Sequence, residues 1–368
     1  MVDDYLARVQ PATDPLDGFS NELIAQLDVD GGNGFSWWAG QSDWKTLTLI
    51  SDYLIQSVRG TSKALTAASL SATELSHLRF SRQAKVSGAL SVLDRDPTAT
   101  VDDYIRAFTD NAIGRKAELK AEMAEEHTLY HLAQTLDRLA IVLIIVGGFQ
   151  LKNVVKSDWS TLDSLKFELD DAISPNRPRV EPAGSAARKL QSKLLAPLDD
   201  LDKYGPPDWL PWLRESRNAL THRAPGTNWT ILASKRRLVR PLYQQPKWSD
   251  VQTHVYADNP GPNGALIQED SEVTLDGLCA SVTHFVTDLT QAARECWTAR
   301  QSDPSLIVQH GTQWADREPT NERLKFRGYG DGKIIKLSKG TDVRVNPSEA
   351  RRLQAARLHD SGRQLWLS

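Results

Sequence analysis

The residues best suited to chemistry lie in one short stretch, Asp208-Trp-Leu-Pro-Trp-Leu-Arg-Glu-Ser-Arg-Asn-Ala-Leu-Thr-His-Arg223. Asp208 is a favourable N-cap, and Pro211 is tolerated in a first helical turn, where its missing N–H has no partner. Ala224-Pro225-Gly226 closes the helix. At about 100° per residue, Arg214, Arg217, Asn218, Thr221 and His222 fall on one arc about 140° wide. Trp209, Trp212, Leu213, Ala219 and Leu220 fall opposite. Arginine clamps a phosphate through parallel N–H donors and stays charged at any relevant pH. Histidine titrates near neutrality and can move a proton in the same site. Asn218 and His222 are i, i+4 neighbours, so the amide can orient the imidazole or hold a phosphate oxygen. An RNA strand brings its own nucleophile, the 2′-OH, so a site joining His to Arg can cleave it without metal.

The run Arg217-Asn218-Ala219-Leu220-Thr221-His222 resembles the Arg-Asn-x-x-x-His signature of HEPN domains. The resemblance covers this motif and its helical surroundings, roughly residues 116–302, and neither end of the chain. It implies a helical bundle that pairs as a homodimer, the motif helices of two protomers meeting in a composite cleft. It also implies a metal-independent endoribonuclease without a cofactor, of the kind found in toxin–antitoxin, abortive-infection and CRISPR-associated defence systems. In that reading Arg217 clamps the phosphate and transition state, Asn218 positions, and His222 is the acid/base. Arg214 and Thr221 lie outside the motif and join the RNA-binding set from the helical arc alone. Many HEPN domains do no catalysis, so a module binding RNA, a nucleotide or a protein partner is the alternative, and an antitoxin or activator is a further possible partner. A structural interaction protein without any nucleic-acid role is the second rival.

Weaker signals surround this one. Lys235, Arg236, Arg237 and Arg240 lie near Trp229, Tyr243 and Trp248, and basic groups interleaved with aromatic rings suit single-stranded RNA. Lys325, Arg327, Lys333, Lys336 and Lys339, with Phe326 and Tyr329, form a second basic strip. His127 and His131 share a helix face at a spacing zinc can use, but Thr128 stands where a metalloprotease helix needs Glu, and no third ligand is evident, so no metal is expected. The same two histidines, on a helix beside the Arg217 helix, would lend polar groups to its cleft. Gly328, Gly330 and Gly332 read as turns, since no Lys-Ser/Thr ending of a phosphate loop follows. Cys279 and Cys296 read as core residues of one helix.

The elements that must hold these groups are mostly helical. The expected fold is mainly α: a HEPN-like bundle with a β-hairpin-type insertion and a small basic α+β C-terminal appendage. Helices are expected from Trp44 to Val58, from Ala64 to Leu93, over 115–146 ending at Gly147-Gly148, and over Ser160–Ile173, Ala186–Tyr204, Asp208–Arg223 and Leu275–Arg300. Asp43 is placed to cap the first of these. Strands are expected over Trp229–Tyr243, Val251–Tyr256 and Leu324–Val345, with a short basic helix from Ser348 to Leu358. Four regions follow: an acidic, loosely docked arm (1–40), a helical region (41–115), the bundle (116–302) and the basic tail (303–368).

Composition sets the outer bounds. The chain has 368 residues, 25% of them charged, with a formal charge of -3, which excludes a polybasic protein overall. Yet the first 30 residues carry seven acidic groups against Arg8, and residues 321–368 carry eleven basic groups against five acidic ones. Two cysteines cannot build a disulfide framework, which fits a reducing compartment. The longest apolar run, Leu139 to Val146, is far short of the roughly 20 residues a membrane span needs. A cytoplasmic protein without a membrane partner is the expectation.

Overall fold

A computed structural model of the chain describes residues 4–41, 43–100, 103, 112–171, 179–222, 229–233, 238–256, 265–309 and 346–356. It is mainly helical. The elements are α1 (Asp4–Ala25), α2 (Trp44–Leu93), α3 (Ala112–Val146), α4 (Trp159–Asp170), α5 (Ala186–Leu195), α6 (Trp209–His222), β1 (Trp229–Ala233), β2 (Leu238–Leu242), α7 (Trp248–Val255), α8 (Ser271–Ser302) and α9 (Pro347–Ala355). Strands β1 and β2 are antiparallel, Trp229 facing Leu242 and Ala233 facing Leu238.

Three expectations change. The acidic arm is a helix: in α1, Val9, Ala12, Leu16, Phe19 and Leu23 recur at three- and four-residue steps and are buried, while the acidic groups ride on the other side. The two helices expected between Trp44 and Leu93 are one, α2, of 50 residues. Asp43 caps it as expected, accepting from Lys45 N at 3.1 Å and the Thr46 hydroxyl at 2.7 Å. The strand expected at Val251–Tyr256 is helix α7, because Val251 and Val255 stand at i, i+4 as well as in alternation. The strands expected over Leu324–Val345 lie outside the described residues.

The chain forms two compact units, interleaved along the sequence. One comprises residues 1–13, 62–136 and 200–287, and holds α6. In it Leu65, Ala68, Ala72, Leu75, Leu129 and Leu132 of α2 and α3 are buried, as are Leu275, Leu278, Val282 and Phe285 of α8. Ion pairs cross between its segments: Arg8 to Asp276 at 3.0 Å, Arg82 to Glu118 at 2.8 Å, and Arg79 to Glu125 at 2.5 Å. Helix α6 is fixed by its apolar face. Trp209 stands edge-on to Phe285 with ring centres 5.8 Å apart, and its indole N–H donates to the Leu201 carbonyl at 3.0 Å.

The other unit comprises residues 14–61, 137–199 and 288–368. Its centre is an aromatic cluster in which Trp297 meets Phe19, Phe35, Trp37 and Trp38 edge-on. The fully buried Arg300 donates through Nη1 to the carbonyls of Ile145 and Val146 at 3.0 and 2.6 Å, closing the exposed acceptors at the C-terminus of α3. Burial pulls its guanidinium down to about 10, with Cys296 and Glu181 opposing. Gly148 turns the chain at φ 62, a conformation cheap for glycine. Helix α9 is capped by Asn346, and its arginines face the protein. Arg351 donates to the carbonyls of Ile24 and Ala25, and Arg352 pairs with Asp52 at 2.6 Å. The basic residues of this helix are therefore committed internally.

Among the described residues, one helix, over Arg115–Val146, is long and apolar enough by composition to cross a membrane, and 72% of its most apolar window is buried within the protein.

Truncating the anchor of α6, Trp209→Ala, is expected to cost about 3–5 kcal/mol in urea unfolding followed by circular dichroism, as for other buried tryptophans. Thr221→Ala on the exposed side of the same helix should stay within about 0.5 kcal/mol. Equal losses would mean that the buried face does not hold the helix.

Candidate functional site on helix α6

The buried face of α6 is Trp209, Leu210, Leu213, Ser216 and Ala219. Fixing that face fixes the other. Arg214, Arg217 and Asn218 are half-buried, while Thr221 and His222 are exposed in the last turn. Leu220, expected on the apolar side, is only half-buried near the helix end. The Arg217 Nη1 donates to Asn218 Oδ1 at 3.1 Å, so neighbouring motif residues hold each other. The Thr221 hydroxyl donates back to the Arg217 carbonyl at 2.8 Å, leaving its lone pairs as acceptors. His222 in the last turn suits the negative end of the helix dipole.

Arg217 and His222 stand at opposite edges of the arc, separated by five residues and about 7.5 Å of helix rise. One helix therefore presents a stripe rather than a focused pair. Lys235, Arg236 and Arg237 lie outside the described residues, as do Lys325, Arg327, Lys333, Lys336 and Lys339. Arg240 lies on β2 opposite Ile231, and its side chain is likewise outside the description.

The helix start differs from expectation. Asp208 has φ 64, in the left-handed region, where a capping residue is ordinarily extended. Its carbonyl still accepts from Trp212 N at 2.9 Å. Aspartate tolerates this backbone better than most residues, and the turn swings the chain from Pro206-Pro207 into the helix.

On α3, His127 and His131 have ring centres 6.1 Å apart. Among the described residues, no group of three or more His, Cys, Asp or Glu is arranged to hold a metal ion. Neither Cys279 nor Cys296 is an activated thiol: burial pushes the first up to about 12, against Arg8, and the second up to about 11, against Arg300.

Two features of the same unit were not legible as motifs. The first is a buried polar cluster. Tyr243 is buried, and its ring meets Trp212 of α6 with centres 5.3 Å apart. Burial first, and then the Glu125 carboxylate, hold its phenol well above its ordinary value, with Arg79 opposing. Glu125 pairs with Arg79, and Ser76 donates to Glu272 nearby along α2. The second is a pocket of about 770 Å³ at the N-terminal half of α6, which none of the expected site residues lines.

Comparison with models of known protein families, with curated proteins and with solved structures returns no match to this chain.

The raised Tyr243 phenol carries a pH signature. An unfolded chain releases that proton near 10.0, whereas the folded protein keeps it. The contribution is complete below pH 10.0 and is lost as pH rises toward the folded value. Wild type should therefore lose stability more steeply than Tyr243→Phe above that pH, by up to about 1.4 kcal/mol per pH unit. Parallel stability curves between pH 9.5 and 11 would show that the phenol ionises freely in the folded state.

Proposed function

We propose that the chain is a metal-independent endoribonuclease of the HEPN type, acting from the outward stripe of α6. The observation that carries this reading is the division of that helix: Trp209, Leu213, Ser216 and Ala219 are buried on one side, and Arg214, Arg217, Asn218, Thr221 and His222 lie on the other. Arg217 clamps the scissile phosphate, Asn218 positions it, and His222 shuttles the proton of the 2′-OH or of the leaving 5′ oxygen. The attacking 2′ oxygen bonds to phosphorus as the 5′ oxygen leaves, so the products are a 2′,3′-cyclic phosphate and a 5′-hydroxyl. No co-reactant is required.

The edge positions of Arg217 and His222 favour a homodimer. Two antiparallel stripes bring the Arg217 of one copy toward the histidine edge of the other, which one helix alone does not do. In this reading β1 and β2 form an insertion between the motif helix and the rest of a HEPN-like bundle. Lys235, Arg236, Arg237 and Arg240 then extend the RNA path, and residues beyond 303 are a basic appendage. A toxin or anti-phage effector in the cytoplasm, held by an antitoxin or an activating ligand, is the setting that fits. The second reading is a non-catalytic module of the same fold that binds RNA, a nucleotide or a protein. It is favoured by the Arg217–Asn218 hydrogen bond, which engages the clamp within its own helix.

The test is cleavage of a mixed RNA pool in EDTA by wild type, Arg217→Ala and His222→Ala. Wild type should cut, leaving 2′,3′-cyclic ends, and each variant should fall by about 10²–10⁴. RNA bound but uncut by wild type, with weaker binding in both variants, selects the second reading. Neither cutting nor binding by wild type overturns both.

A further inference from the structure

The pocket beside the N-terminal half of α6 carries an inference independent of the nuclease reading. We infer that it binds an organic cation whose ammonium groups ride on an apolar chain, a polyamine being the simplest such ligand.

Its volume, about 770 Å³, falls within the range of small-molecule sites. Its wall is unbalanced in charge: Asp208, Glu215, Asp250 and Glu269 stand against a single Lys247. Asp208, Asp250 and Glu269 are exposed at the rim. Such a wall repels phosphate and attracts cations. Between the carboxylates the surface is apolar. Trp212 contributes a half-buried indole, which favours a cation over its face, and Ile267, Val273 and Leu278 line the path for a methylene chain. Val273 is 55% exposed there, a large apolar side chain left open on an otherwise polar helix start.

A second observation points to a ligand directly. Ser281 of α8 is 6% exposed and lines the pocket, and its hydroxyl forms no hydrogen bond among the described residues. A hydroxyl on a pocket wall without a protein partner is ready to accept from an ammonium N–H. Simple divalent cations do not need the indole or the apolar path, so the wall as a whole fits a chain with spaced positive charges. The same chemistry could come from a lysine side chain of a polypeptide.

The pocket also offers a clean way to fill it. Gly277 of α8 lines it, and a Cβ built there meets nothing within 4 Å. Gly277→Leu should leave the helix intact, since replacing a mid-helix glycine favours the helix.

The experiment is isothermal titration of the full chain with spermidine in 0.15 M salt, beside Gly277→Leu and the double variant Asp208→Asn/Glu269→Gln. A second arm uses a blocked tetrapeptide containing one lysine. Wild type should bind spermidine one to one, and each variant should bind at least about tenfold more weakly while melting within a few degrees of wild type. Binding of the peptide but not of spermidine would support the same site with a polypeptide as its source. Equal spermidine binding by all three proteins would place the cation on the general acidic surface and overturn the inference. So would no binding in either arm. RNA cleavage by all three proteins is the control: its failure bears on the nuclease reading alone.

Discussion

The packing of one helix face sets what α6 presents to its surroundings. Trp209, Leu210, Leu213, Ser216 and Ala219 are buried, with Trp209 set against Phe285 and tied to the Leu201 carbonyl. Each large apolar side chain so buried contributes about 1.5–3 kcal/mol. A rotation of α6 by one residue, about 100°, would expose an indole and bury an arginine, so the phase is strongly determined. Everything the helix offers outward follows from that phase. One stripe presents Arg214, Arg217, Asn218, Thr221 and His222, the last four of them in the C-terminal half of the helix. Its N-terminal half presents Asp208 and Glu215 to an acidic pocket. The helix dipole favours the two ends of this arrangement, Asp208 at the positive N-terminus and His222 in the last turn. One short helix thus carries two opposed electrostatic surfaces.

Buried polar groups stabilise the surroundings through completed hydrogen bonds rather than through charge alone. Among the described residues, Arg300 has no carboxylate at hydrogen-bond distance. It is held by two carbonyls at the end of α3 and by the face of Trp38, 5.5 Å from its centroid. Arg188 does similar work between α4 and α5, donating to the carbonyls of Glu168, Leu169 and Glu181. In the unit that holds α6, Arg79 and Glu125 pair where both are nearly out of water. Removing either would leave its partner buried and uncompensated, which is usually more damaging than losing the pair.

Features set by local spacing were legible in the sequence. The extent and phase of α6, the Asp43 cap and the end of α3 at Gly147-Gly148 follow from residue types within a few positions of one another. What was not legible depends on distant partners. The acidic residues of α1 suggest a loose arm, because its buried stripe from Val9 to Leu23 is interrupted by Pro11 and Pro15. Val251 and Val255 fit a strand or a helix equally well, and eight residues are too few for periodicity to decide. The burial of Glu125 depends on Arg79, 46 positions earlier. The pocket draws on residues 206–215, 245–250 and 267–281, none of which forms a motif alone. For the candidate site itself, the residues on the stripe could be read, but not the hydrogen bond that ties Arg217 to Asn218.

The central claim is that RNA is handled on the outward face of α6, and the most direct measurement is photo-cross-linking. RNA carrying 4-thiouridine is irradiated with the full chain, digested and mapped by mass spectrometry. Cross-links are expected on peptides spanning Arg214 to His222, lost when excess unmodified RNA competes. Cross-links confined to other segments, or none at all under conditions where RNA is bound, would contradict it.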